Sequence, residues 1–133
     1  MFLGAYFCNF TLMIDELIFD FCTMSIYDDH LIVVMKAGIT ITPSHNKVLL
    51  NIVDTYYRKK KFVYITNRIN SYAVNPTVYY ETSKIEELVG FAVVSKDFKA
   101  KSNAEVEKLF FNKPFEVFKT IEEAIAWGKA LIG

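Results

Sequence analysis
The chain has 133 residues, 53% of them apolar and 16% aromatic, which suits one domain with a continuous core. Fifteen basic residues balance fifteen acidic ones and the pI is near 6.7, so no overall field attracts nucleic acid or an anionic membrane. Two cysteines, Cys8 and Cys22, form no C-x-x-C pair and have no histidine at metal-ligand spacing, which argues for a reducing, cytoplasmic compartment with Cys22 as a small buried apolar residue.

Residues Met1 to Ile14 carry no charge, yet they lack a basic n-region and a small-x-small cleavage site and are too short to span a bilayer. Residues 1–16 are expected to be an N-terminal extension or a misassigned start, with translation from Met13 as the alternative, and residues 17–133 a single domain. Leu17 to Tyr27 and His30 to Lys36 are rich in β-branched, aromatic and sulfur-bearing residues and flank the acidic turn Asp28-Asp29, which predicts an antiparallel hairpin. Gly38 closes the second strand, and Ile39-Thr40-Ile41 leads to Thr42-Pro43, a hydroxyl cap and first-turn proline that open a helix. Leu49, Ile52, Val53 and Tyr56 give that helix one apolar stripe, and it is expected to end near Lys60, where the run Arg58-Lys59-Lys60-Lys61 complements the dipole.

Phe62-Val63-Tyr64-Ile65-Thr66 reads as the buried central strand, followed by a loop from Asn67 to Asn75. Asn75-Pro76 opens a second helix through Val78, Ile85 and Leu88, ending before Gly90. The fully apolar run Phe91-Ala92-Val93-Val94 predicts a strand covered on both faces, hence helices on both sides of the sheet. Ser102 with Glu105 resembles a capping box, so a third helix starts there or as early as Asp97, with Val106, Leu109 and Phe110 as its stripe. After Pro114, Phe115-Glu116-Val117-Phe118 alternates as a strand. Thr120-Ile121-Glu122-Glu123 caps a last helix carrying Ala124, Ile125, Trp127, Leu131 and Ile132. The result is an α/β domain: a mainly parallel central sheet of about five strands, entered through an antiparallel hairpin, with helices on both faces.

This order, with the ending Pro114-Phe115-Glu116-Val117-Phe118-Lys119-Thr120-Ile121-Glu122-Glu123-Ala124-Ile125-Ala126-Trp127, resembles the STAS superfamily, whose founding members are bacterial anti-sigma-factor antagonists. The likeness is to its small stand-alone branch, related in fold to the CRAL-TRIO lipid-carrier domains, and covers about residues 17 to 132. It implies a STAS-like fold and a non-catalytic interaction or regulatory module working through a protein partner or as a homodimer. The CRAL-TRIO kinship implies an alternative, a carrier or sensor of an apolar, lipid-like small molecule. Phospho-switch members run their central strand into an Asp-x-Ser-Gly turn. Here the region reads Thr66-Asn67-Arg68-Ile69-Asn70-Ser71-Tyr72-Ala73-Val74-Asn75-Pro76-Thr77, which leaves Ser71 and Thr77 as the candidate phosphosites.

In open α/β sheets ligands bind beyond the carboxyl ends of the strands, which makes Arg68, Asn70, Ser71 and Tyr72 the candidate ligand or partner contacts. The helix opened by Asn75-Pro76 is expected to aim free N–H groups at the same loop. His45, in a first helical turn, is expected to be neutral, and His30 beside Asp28 and Asp29 a turn residue. Neither joins a nucleophile and an orienting group, so no enzymatic activity, cofactor or metal is expected. Of the rings Tyr56, Tyr57, Tyr64, Tyr72, Tyr79, Tyr80, Phe110, Phe111 and Trp127, the adjacent pairs cannot both face the sheet, which leaves some for a partner or ligand.

Overall fold
The β-rich runs assemble as the patterning requires. In the computed structural model, which describes residues 12–133, the strands are β1 (Asp15–Ile18), β2 (Cys22–Ile26), β3 (His30–Met35), β4 (Thr40–Ile41), β5 (Phe62–Asn67), β6 (Ala73–Val74), β7 (Leu88–Val94) and β8 (Phe115–Phe118). The helices are α1 (Asn46–Tyr56), α2 (Thr77–Thr82), α3 (Phe98–Glu107) and α4 (Ile121–Ile132). The main sheet has six strands in the order β1-β2-β3-β5-β7-β8, and β4 and β6 form a separate pair. β1, β2 and β3 are antiparallel neighbours, whereas the β3–β5, β5–β7 and β7–β8 pairings are parallel.

Both faces are covered at the centre. One carries Leu31, Val33, Phe62, Tyr64, Phe91 and Phe115 with residues of α1, α2 and α3; the other packs Val63, Ile65, Ala92 and Val94 against Ala124 of α4. Ile65, Ala92 and Val93 are fully buried, as strands covered on both faces require. The last helix starts on the expected box, with Glu123 N–H donating to Thr120 Oγ1 at 3.1 Å. α4 approaches β7 closely only because Gly90 has no side chain: a Cβ there would lie 2.6 Å from Leu131 and 2.9 Å from Trp127. Among the described residues no helix is long and apolar enough to cross a membrane.

Several boundaries differ from the sequence pattern. The run Leu17 to Tyr27 is two strands, because Phe19 N–H closes a tight turn on Cys22 O at 2.8 Å around Asp20. The sheet therefore gains a strand and starts at Asp15, inside the stretch read as an extension. Residues 1–11 of that stretch, including Cys8, lie outside the described residues, and so does the question of a start at Met13. α1 stops at Tyr56 instead of near Lys60, since Tyr57 drops into the core, its hydroxyl donating to Tyr27 O or His30 O, each at 2.7 Å, and Lys59 turns left-handed at φ 59°. α2 has only six residues; Ile85 lies in the turn beyond it and Leu88 opens β7. On α3 and the turn that follows it the expected stripe is inverted. Val106, Leu109 and Phe110 are exposed, while Ala104 and Glu107 face the core and Phe111 supplies the buried ring.

Cys22 is buried, and burial pushes its thiol up to about 12. His30 is buried too, not a solvated turn residue. Its Nδ1–H donates to Asp29 at 2.8 Å, Asp29 accepts from Lys129 at 3.0 Å, Tyr27 stacks on the ring at 4.4 Å, and Nε2 meets no partner among the described residues. Burial lowers the His30 pKa against the opposing pull of Asp29. A histidine whose folded pKa is depressed stabilises the fold above its ordinary value of about 6.5, and that stability is lost as pH falls below it. Burial alone would raise the Asp29 pKa, but the bonds from His30 and Lys129 outweigh it, so its contribution disappears lower, below the ordinary carboxylate range. We expect the melting temperature to fall from about pH 7 to about pH 5. His30→Phe should flatten that step, and an unchanged profile would remove His30 as its source.

Candidate functional site
The carboxyl ends of β5 and β7 open into a groove of ≈ 790 Å3, walled on one side by residues 68–74 and on the other by Asp97, Lys99, Ala100, Asn103, Val106 and Glu107 of the α3 segment. All four residues singled out in the loop line it. They differ in what they offer. Ser71 is exposed, and its carbonyl accepts from Gly38 N–H at 2.8 Å. Asn70 Nδ2 donates to Met35 O at 2.9 Å, tying the loop to the end of β3. Arg68 and Tyr72 point inward.

The Arg68 side chain is 7% exposed and that of Glu107 10%. Arg68 makes a bidentate pair with Glu107, donates through Nη2 to Tyr79 Oη at 2.9 Å and through Nε to Tyr72 Oη at 3.1 Å, and its guanidinium lies 5.4 Å from the Tyr72 ring centre. Tyr79 also donates to Glu107, and Tyr72 Oη is 3.0 Å from Thr66 Oγ1. Burial by itself would lower the Arg68 pKa, but Tyr79, Tyr72 and Glu107 outweigh it, so the cation is locked in. Burial drives the Tyr79 pKa well above the usual tyrosine value and Glu107 adds to it, against the pull of Arg68. The cluster is a closed network under the groove, with every Arg68 nitrogen engaged. No residue spacing announces it, because its members come from four elements; two ionisable residues and two tyrosines on core-facing positions were the only signal.

The predicted N–H display at α2 is not found. With six residues the helix is too short for a directed N-terminal site, and Asn75 Oδ1 already accepts from Thr77 N–H at 3.1 Å and from Thr77 Oγ1 at 2.9 Å. Thr77 lies outside the groove lining, whereas Ser71 belongs to it. His45 serves its own turn: Nδ1 accepts from Thr42 N–H at 2.9 Å. In the basic run at residues 58–61, Arg58 lies 3.9 Å from Asp54 and Lys60 pairs with Asp28.

Most of the aromatic surplus is core: Phe91 stacks on Tyr64 at 4.5 Å and on Phe115 at 5.1 Å, with Tyr79 edge-on at 5.2 Å. From the pairs Tyr79-Tyr80 and Phe110-Phe111 one ring each turns out, Tyr80 and Phe110. Beside these rings, the apolar interior space lined by Met24, Met35, Leu49, Tyr64, Tyr79 and Phe91 is only ≈ 40 Å3.

A mixed, mostly parallel sheet with an antiparallel entry and helices on both faces is the SpoIIAA-like, or STAS, architecture. Among solved structures the chain is similar to an uncharacterized protein of the DUF3478 family with a SpoIIAA-like fold from Shewanella loihica PV-4, with 12% identity, 90% of this chain and 95% of that chain covered, and a TM-score of 0.50. At that identity the likeness is one of fold. No protein-family model matches the sequence, and no curated protein matches it.

Proposed function
We propose that the protein is a non-catalytic SpoIIAA-like interaction module that engages a protein partner, or a second copy of itself, through the groove walled by the β5–β6 loop and α3. The observation that carries this reading is the convergence of Arg68, Asn70, Ser71 and Tyr72 with α3 on one open groove at the carboxyl ends of the strands, where exposed Ile69 and Val106 add apolar contact. Arg68 contributes by fixing Tyr72 in the wall, since its own donors are taken. Ser71 is the hydroxyl at which an added phosphate would alter recognition. A lipid-like cargo finds less support, because the apolar interior space of ≈ 40 Å3 is far below the roughly 300–1,000 Å3 of small-molecule pockets.

The test is site-specific photocrosslinking. Benzoylphenylalanine at Ile69 or Asn103 should crosslink in cells to one defined protein or to a second copy, and the same group at Leu50, exposed on α1, should not. Crosslinks from Leu50 alone would move the interface elsewhere. Ser71→Glu should weaken the groove crosslink several-fold without lowering the melting temperature.

A further inference from the structure
The face that α3 turns to solvent is apolar. Phe98, Ser102, Val106 and, in the turn that follows, Leu109 recur at i, i+4, i+8 and i+11, so they form one ridge within about 80° of the helix circumference. Ser102 is two residues from the fully buried Ala104, about 200° round the helix, so the ridge points away from the core. A surface helix normally puts polar residues there. Here Phe98 is 81% exposed, Val106 56% and Leu109 82%, while the buried side of the helix holds Ala104 and Glu107. Apolar side chains on the outer side gain nothing from the folding of one chain; they gain when something covers them.

The flanks of the ridge select what fits. Lys101 and Glu105 stand four residues apart on one flank, and among the described residues neither the ammonium nor the carboxylate makes an ion pair. Lys108, farther along, is already paired with Glu116 at 3.3 Å. Lys99 and Asn103 occupy the other flank, where they line the groove. An antiparallel copy of α3, related by a two-fold axis at Ser102, sets Phe98 of each copy against Val106 of the other with Leu109 beside it, and brings the small Ser102 side chains together where the helices approach most closely. The same axis keeps each flank on its own side, so Lys101 of one copy comes beside Glu105 of the other, twice over, and both grooves open on the opposite side of the pair. Each unpaired charge thus finds its opposite in the same sequence. We propose that this ridge is a homodimer interface, in which α3 packs antiparallel on α3 of a second copy about a two-fold axis at Ser102. It is a surface beyond the groove and leaves the groove free. One short helix per copy covers less than the roughly 800 Å2 per partner of a standard interface, so the dimer should be reversible, with a Kd of about 10–100 µM.

Sedimentation velocity of the full chain, from well below to well above that Kd, should show a monomer passing to a dimer and nothing larger. Phe98→Asp and Leu109→Asp should each weaken association by about tenfold or more, with the melting temperature kept because both side chains stand in solvent. Lys101→Glu or Glu105→Lys alone should weaken it by about threefold, and the two together should restore it, since the exchanged charges again meet across the axis. Ser102→Cys in a Cys8→Ser background should form a disulfide-linked dimer on mild oxidation, and Leu50→Cys, exposed on α1, should not. A chain that stays monomeric throughout, or a dimer indifferent to Phe98→Asp and Leu109→Asp, overturns the interface. A dimer that responds to them but shows neither the Ser102→Cys crosslink nor the charge rescue overturns the antiparallel two-fold. Photocrosslinks from Ile69 should persist in Phe98→Asp; their loss together with the dimer would make the groove and the ridge one interface and overturn their separation.

Discussion

Glu107→Ala is expected to destabilise the fold by about 3–5 kcal/mol in urea titration, the cost of leaving a buried cation without its partner. Arg68, 7% exposed in its side chain, loses both carboxylate bonds at once, and Tyr79 loses the acceptor for its hydroxyl. The network ties the β5–β6 loop to α3, so the loss should appear as weakened protection of amides in residues 68–74 before global unfolding. The combined change Arg68→Met, Tyr79→Phe and Glu107→Leu removes every member that would be left unpaired, and stability should return to within about 1–2 kcal/mol of the starting protein. Recognition at the groove should not return with it, because Tyr72 loses the Arg68 bond that positions it. Stability and binding recovering together would mean that the network serves folding alone. A Glu107→Ala loss under about 1 kcal/mol would mean that water reaches the pair.

Phe91→Ala is expected to cost a further class of stability, about 3–5 kcal/mol, through the apolar core. Phe91 is 5% exposed on the central β7 and meets four rings, Tyr64, Tyr79, Phe111 and Phe115, at centroid distances between 4.5 and 5.6 Å. It also lines the existing ≈ 40 Å3 space, so truncation enlarges a gap that backbone on either side cannot close. Because Tyr79 edges onto Phe91, the same change should loosen the Arg68 network and lower groove affinity, whereas Ala92→Gly on the opposite face should lower stability with affinity kept. Benzene should raise the melting temperature of the Phe91 variant and leave the parent unchanged, as an apolar cavity of that size admits it. A cost below about 1.5 kcal/mol would show that the ring cluster closes over the gap.

The parts of this molecule legible from residue order are those decided locally. Phe62 to Thr66 and Phe91 to Val94 are strands because runs of β-branched and aromatic residues gain from burial on both faces, and Thr120 to Glu123 starts a helix because its side chains satisfy the first free N–H groups. The same local logic made residues 68, 70, 71 and 72 candidates, since strand direction alone sends that loop to the ligand-binding end of the sheet.

What the tertiary structure decided depends on partners far apart in the chain. Asp15–Ile18 becomes a separate strand because Cys22–Ile26 offers it a ladder, and Ala73–Val74 becomes one because Ile39 and Ile41 offer carbonyls. The second helix stops at Thr82 although its apolar spacing continues, since Leu88 is needed to pair with Phe62. Arg68, which composition alone marks as a free surface donor, is buried by a carboxylate 39 positions later, and the inverted face of α3 follows from the same bond. A charge is exposed or enclosed according to whether the fold brings it a counter-charge out of water, and that is set by three-dimensional contact between distant segments, which residue spacing does not encode.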